Sequence, residues 1–204
     1  MPSKNTLRED APQSFYHVYA RGASKQPIFF NPEDYRYFVN LFARYLSLQP
    51  KYDKSGVIYP HFHGKVELLS YCLMRNHFHM LIFQRDVREM SAFMKCVMTS
   101  YGRYFNLKYK RSGSIYESRF KASMITSDNY LLHISRYIHM NPRYWLRYEY
   151  SSLQLYLHRK NCEWISRDKV IERFENESDY LEFIRDYESH KQMIDEIKHE
   201  LADD

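Results

Sequence analysis

YCLMRNHFHMLIF, residues 71–83, sets two apolar runs around a two-residue polar break. KVELLSYCLM (65–74) reads as a strand, Arg75-Asn76 as a tight turn, and HFHMLIFQ (77–84) as the returning strand of a hairpin. Successive residues of a strand face opposite sides, so His77 and His79 project on one side and Phe78 and Met80 on the other. Two imidazoles about 7 Å apart along a strand can converge on one cation. The same spacing also arises between ordinary core histidines. A second triplet, HFH at 61–63, lies in a connector bounded by Pro60 and Gly64, where it is expected to be exposed and incidental.

Outward from the hairpin, FYHVYARG (15–22) alternates and ends at Gly22, which predicts a strand. NPEDYRYFVNLFARYLSL (31–48) opens with an Asn cap, a Pro at the first helical position and two acids. Tyr35, Phe38, Val39, Phe42 and Leu46 then recur at helical spacing. Residues 88–111 form a long helix, with Met90, Phe93, Met94, Val97, Tyr101 and Tyr104 as its buried stripe. SGS (112–114) breaks it, and IYESRFKASMI (115–125) is expected to be largely extended and basic. SDNYLLHISRYIHMN (127–141) is a helix capped by Ser127 or Asp128 and stopped before Pro142. The order β-α-β-β-α-β followed by a helix predicts an α+β, ferredoxin-like split βαβ fold. Its antiparallel sheet would carry two helices on one face, with the extra helix against the other face or an edge. From about residue 150 the character changes. The chain divides into a body, 1–150, and a helical acidic extension, 151–204, with helices expected at 168–175 and 178–199 and an acidic end, LADD.

The 204 residues suffice for one core plus an appendage. At 44% hydrophobic and 27% charged, the composition is that of a soluble globular protein. No stretch approaches the ~20 apolar residues of a membrane span. The polar start, MPSKNTLREDAPQ, is not expected to be a targeting peptide. The three cysteines form no CxxC, so neither a disulfide framework nor a cysteine zinc site is indicated, and a reducing cytoplasm is expected. The net charge of +5 is uneven: residues 160–204 carry −7 and residues 1–159 carry +12. A basic body with 20 tyrosines suits a nucleic-acid partner, and it equally suits a solvated basic surface over an aromatic core.

In SRYIHMNP (135–142), Tyr137 and Asn141 are four apart and share a helix face. A tyrosine can attack phosphorus and store the bond energy as a phosphotyrosine. A carboxamide oxygen is a hard ligand for a divalent ion. The plain alternative is a structural tyrosine and an Asn that ends a helix.

YCLMRNHFHMLIF resembles the His-hydrophobic-His strand of the single-tyrosine HUH transposases. SDNYLLHISRYIHMNPR is similar to the tyrosine helix of their REP-associated branch, GSIYESRFK to the basic strand between the two motifs, and FYHVYARG to the first strand. The resemblance covers roughly residues 14–150. Carried over position by position, it implies His77 and His79 as metal ligands, Asn141 as the helix-borne third ligand and Tyr137 as nucleophile. Arg75 departs from the Pro that many relatives have before Asn-His, and this is a turn position. His133 and His139 are candidates for substrate contacts only.

The resemblance further implies cleavage of single-stranded DNA near a hairpin, giving a 5′-phosphotyrosine and a free 3′-hydroxyl that can later rejoin strands. Two imidazoles lean toward Zn, Ni or Cu, and an amide oxygen with water toward Mg or Mn. The resemblance implies Mg²⁺ or Mn²⁺. Between residues 95 and 121 seven cations face the single acid Glu117, with aromatics interleaved. Of these, Lys108, Lys110 and Arg111 are the expected DNA contacts by position, and Arg119 and Lys121 follow from the family-like strand. Action in the cytoplasm, on the nucleoid when DNA-bound, is expected. A homodimer is possible, since family members differ in oligomeric state. Three alternatives remain: a hydrolytic metal-dependent nuclease with a structural Tyr137, a domesticated hairpin binder without turnover, and an RNA-binding ferredoxin-like module. The last calls for aromatic strands that HFH does not resemble.

Overall fold

In the computed structural model, which describes residues 10–158 and 162–186, the alternating stretches pair into one antiparallel sheet. Its strands are β1 (Ser14–Arg21), β2 (Val66–Met74), β3 (His77–Gln84) and β4 (Lys121–Ile125), in the order β2-β3-β1-β4. That is the split βαβ arrangement expected from the sequence. The alternation sorts side chains onto two cores. Tyr16, Val18 and Ala20 of β1 and Phe78, Met80 and Ile82 of β3 face α1 (Pro32–Leu46) and α2 (Glu89–Lys108). Tyr19, Leu81 and Phe83 face α3 (Asp128–Met140), which lies on the opposite side of the sheet. β2 breaks its alternation once. Leu68 pairs with Ile82 and Ser70 with Leu81, so Leu69 is an added residue. This bulge sends Leu69 and Cys72 to the second core while Leu68 and Tyr71 keep to the first.

Caps stand where the sequence put them. Asn31 Oδ1 accepts from Glu33 N at 3.1 Å and Asp34 N at 3.3 Å, and Asp34 Oδ2 accepts from Asn31 N at 3.2 Å, closing a capping box on α1. Ser127 Oγ accepts from Tyr130 N at 3.2 Å at the start of α3. Gly22, after β1, packs so closely that a Cβ would lie 2.1 Å from Gln26 O, which no side chain could tolerate.

Two expectations need correction. The stretch 115–125 is not extended throughout; only Lys121–Ile125 is strand. Ile115, Tyr116 and Phe120 turn into the first core instead, and the Ser114 hydroxyl donates to Tyr116 O and accepts from Tyr116 N, closing a local turn. The 61–63 triplet is not incidental either. His61 Nε2 lies 2.8 Å from Ser47 O, His63 Nδ1 lies 3.1 Å from Leu46 O, and Phe62 enters the core, so the two imidazoles meet the last carbonyls of α1.

In the extension the structure adds α4 (Leu153–Leu157), α5 (Asp168–Ile171) and α6 (Glu177–Arg185). Leu153, Tyr156, Val170, Tyr180 and Ile184 share the second core with the sheet and α3. The helix expected over 178–199 is described to residue 185, and LADD lies outside the described residues. No described helix is long and apolar enough to cross a membrane.

Lys108 belongs to this framework. Its Nζ lies 2.7 Å from Asp34 Oδ1 and 2.8 Å from Glu33 Oε2, and the hydroxyls of Tyr104 and Tyr109 also donate to Asp34. Burial alone raises the Asp34 pKa, but the hydrogen bonds from Lys108, Tyr109, the Phe30 amide and Tyr104 outweigh it and hold the carboxyl below its usual value. A carboxylate with a depressed folded pKa stabilises above its unfolded pKa, and that stabilisation fades as pH falls through the folded value. Denaturant melts as a function of pH are therefore expected to lose stability below about pH 4. Asp34→Asn should cost of the order of 3 kcal/mol at pH 7 and flatten that acid limb.

Candidate active site

β1 and β3 pair with Arg21 opposite His77 and Tyr19 opposite His79. Cross-strand partners share a face, so His17, Tyr19, Arg21, His77 and His79 all point toward α3. Tyr137 on α3 is set over them, its ring centroid 5.3 Å from that of His79 and 5.8 Å from that of His17, edge-on to both. One helical turn on, Asn141 Oδ1 lies 3.3 Å from His77 Nε2. The structure thus brings together the four residues His77, His79, Tyr137 and Asn141 from two separate motifs. His77, His79 and Tyr137 open on a small cleft of about 80 Å³ whose lining includes Arg21, Glu117, Arg119 and Lys121.

Burial governs the protonation states. It lowers His17 to about 3 and His77 to about 4, the Arg21 charge adding to the His77 shift. His79 lies well below its usual value, first through burial, then through His17, His77 and Arg21. All three rings are neutral at physiological pH, the form that ligates metals. The Tyr137 phenol is pushed up to about 12 by burial and by neighbouring Tyr19, while Arg21 and a hydrogen bond with Asn141 pull it back toward the phenolate.

The hydrogen bonds test whether a cation fits. Asn76 Nδ2 donates to Lys25 O, which turns Asn76 Oδ1 toward His77 Nδ1 at 2.7 Å. Nδ1 must then carry the ring proton, leaving a lone pair on Nε2 that faces the Asn141 oxygen. A neutral imidazole cannot donate to both neighbours, so His77 Nε2 presents its lone pair toward the Asn141 carboxamide, 3.3 Å from Oδ1. Adjacent ligand atoms in a ~2.1 Å octahedral shell stand about 3 Å apart. His79 Nδ1 is engaged by His17 Nε2 at 3.0 Å, which leaves His79 Nε2 as its open nitrogen. The donor set of two imidazoles and an amide oxygen therefore fits a divalent ion. Among the described residues, no group of three or more His, Cys, Asp or Glu offers a metal site.

The remaining sequence candidates separate. Arg119 and Lys121 line the cleft. Lys110 and Arg111 are exposed at the end of α2 and do not line it, and Lys108 is held by Asp34 and Glu33. His133 and His139, read as candidate substrate contacts, turn away from the cleft: His133 packs on Phe183 and His139 bonds Tyr180 and Ser152. His17 and Arg21 are additions that the sequence reading missed. Their signal was present in FYHVYARG, where odd-numbered positions share one face, but the stretch was read only as a strand.

The site is thus a neutral histidine pair on an antiparallel ferredoxin-like sheet, covered by a helix that brings a tyrosine and an amide. Residues 61–141 match the family described as transposase, IS200-like, a span that contains His77, His79, Tyr137 and Asn141. That segment is similar to the IS200-like transposases, as the resemblance of its motifs to single-tyrosine transposases implied. A solved structure of a REP-associated tyrosine transposase bound to a REP hairpin aligns with a TM-score of 0.54. It covers 80% of this chain and 92% of that one at 11% identity, a likeness of fold. No curated protein matches the chain.

Proposed function

We propose that this protein cuts and rejoins single-stranded DNA beside a hairpin, with Tyr137 as nucleophile and with Mg²⁺ or Mn²⁺ held by His77, His79 and Asn141. The observation that carries the reading is the convergence of the Tyr137 helix on the two neutral imidazoles, with Asn141 hydrogen-bonded to Tyr137 and facing His77 Nε2. The ion, when bound, supplies Lewis-acid polarisation of the scissile phosphate. The Tyr137 oxygen attacks phosphorus, the P–O3′ bond breaks, and the leaving 3′-oxygen takes a proton. The 5′-phosphate stays on Tyr137 until a 3′-hydroxyl attacks it and restores the phenol, so no ATP is consumed. Arg21 favours the phenolate and places positive charge beside the incoming phosphate. The DNA hairpin in the solved relative supports a hairpin partner here. The protein acts in the cytoplasm on nucleoid DNA.

The test uses purified protein, Mn²⁺ or Mg²⁺, and end-labelled single strands from the flanks of its own gene. The reading expects a protease-sensitive adduct on the strand 3′ of the cut. Free cut strands without an adduct would make the enzyme a hydrolytic nuclease. Tight binding with no cut would make it a hairpin binder.

His17 carries its own prediction. His17 Nε2 lies 3.0 Å from His79 Nδ1; as the acceptor from Nδ1–H it would fix the His79 tautomer whose Nε2 is available to an ion, the role of an outer partner to a metal ligand. His17→Phe keeps the ring volume and removes the acceptor. Calorimetric titration should then give Mn²⁺ affinity about 10- to 100-fold weaker, with His17→Gln recovering part of it.

A further inference from the structure

Cleavage by Tyr137 exchanges a sugar oxygen for a phenol oxygen on phosphorus. A phenolate is a weaker base than the alkoxide it displaces, so it is the better leaving group of the two. Phosphorus that holds both oxygens therefore gives back the intact strand, unless the 3′-oxygen is protonated as it departs. A proton donor is needed in the cleft, apart from Tyr137 itself.

Strand register places one there. Tyr19 pairs with His79 on β3 and with Lys121 on β4, so His79, Tyr19 and Lys121 make one row across three strands, about 10 Å wide. The Tyr19 ring fills the middle of the row. Its centroid lies 5.8 Å from that of His79 and 5.9 Å from Lys121 Nζ. An aromatic face attracts an ammonium and keeps it near the ring. All three residues line the cleft beneath Tyr137, whose volume of about 80 Å³ leaves room for little beyond one phosphate group. A phosphate seated there has the histidines at one end of the row and the ammonium at the other. The remaining charged groups of the lining are unsuited to giving a proton. Arg21 and Arg119 carry guanidinium groups, which do not deprotonate in proteins, and the Glu117 carboxylate accepts rather than donates. Lys121 is half-buried, and an ammonium carries three protons on a stem that can rotate toward the strand.

We infer that Lys121 is the general acid of the reaction, protonating the 3′-oxygen as it leaves. The inference rests on the function proposed above. In cleavage the Tyr137 oxygen bonds to phosphorus, the P–O3′ bond breaks with its electron pair on oxygen, and a proton passes from Lys121 Nζ to that oxygen. The products are the phosphotyrosine, a 3′-hydroxyl and a neutral amine, the phenol proton having gone to water. Rejoining runs the same steps backwards, with the amine taking the proton of the attacking 3′-hydroxyl. This role is distinct from contact with the DNA backbone, which any cation could make.

The test measures the single-turnover rate of adduct formation in Mn²⁺, with protein in excess, on a hairpin with an unpaired flank that carries the cut. One strand has the ordinary linkage. The other has sulfur in place of the bridging 3′-oxygen at the cut mapped with the parent protein. A thiolate leaves without a proton, so sulfur removes the need for an acid. Lys121→Ala is expected to be about 10²- to 10⁴-fold slower than the parent on the oxygen linkage and close to the parent on the sulfur linkage. Lys121→Arg keeps the positive charge and should bind the flanked hairpin like the parent. It should nonetheless be as slow as Lys121→Ala on oxygen and be rescued by sulfur. A lysine that only contacts phosphate would leave Lys121→Arg active, and its loss would slow both linkages equally; either result overturns the inference. Sulfur rescue of Tyr19→Phe and not of the Lys121 variants assigns the acid to the phenol and also overturns it. A parent protein that forms no adduct on the ordinary linkage overturns the function and this role together. A parent adduct without selective sulfur rescue of the Lys121 variants overturns the role of Lys121 alone.

Discussion

Tyr137→Phe is expected to fold, to bind the flanked hairpin like the parent, and to form no covalent adduct. The ring contacts with His17 and His79 are edge contacts that phenylalanine reproduces. The side chain is half-buried, and the phenol pKa is pushed up to about 12, first by burial. Its removal takes away one side-chain hydrogen bond, with Asn141, at a cost to the fold of about 1 kcal/mol or less. The chemical effect is of another order. Without the phenol oxygen there is no atom to form the P–O bond, so adduct yield should fall by at least about 10³-fold. A denaturing gel of labelled strand with protein separates the outcomes. An adduct persisting in Tyr137→Phe would assign the nucleophile elsewhere, and free cut strands persisting without an adduct would assign water.

The second large effect is expected at His139, two residues from the nucleophile and turned away from it. Its Nδ1 lies 2.7 Å from Tyr180 Oη and its Nε2 2.7 Å from Ser152 Oγ. One set of protons satisfies the whole chain. Ser152 donates to Nε2, Nδ1–H donates to Tyr180, Tyr180 donates to Ser135, and Ser135 donates to Leu132 O, while Ser152 also accepts from Tyr71 N. This network ties the tyrosine helix to α6, to the residue before α4 and to β2. Burial lowers His139 to about 3, which keeps the ring neutral and able to play both parts. His139→Ala opens a cavity and takes one hydrogen bond from each of two buried hydroxyls, at a cost of about 2–4 kcal/mol. A melting temperature lower by roughly 5–15 °C is expected. Adduct formation should fall with it although Tyr137 is untouched, because α3 loses its anchor to the extension. Adduct formation at wild-type rate in a destabilised His139→Ala protein would show that the network serves stability alone.

The acidic extension was the least readable stretch of the sequence. Its described helices bury Tyr156, Tyr180 and Ile184 against α3 and the sheet. Short segments with few periodic residues carry little signal of where they dock, and their apolar side chains become a face only once α3 provides the other half.

What the sequence determined by itself was local. Alternation set which side of each strand His77, His79 and Phe78 take, helical spacing put Tyr137 and Asn141 on one face, and Asn31 and Ser127 marked where helices begin. These follow from backbone geometry and hydrogen-bonding chemistry over a few residues, which neighbours in the chain suffice to fix. Tertiary structure decided what each local pattern meets. Two HFH triplets read alike, yet His61 and His63 meet the end of α1 while His77 and His79 meet Tyr137. Lys108 lay in the basic stretch but finds Asp34, 74 residues away, and is drawn into an ion pair. His17 and Arg21 entered the site because β1 pairs with β3, a contact across some 60 residues. Strand pairing and helix docking depend on the burial of whole faces, a property of the assembled sheet that no short window of sequence contains.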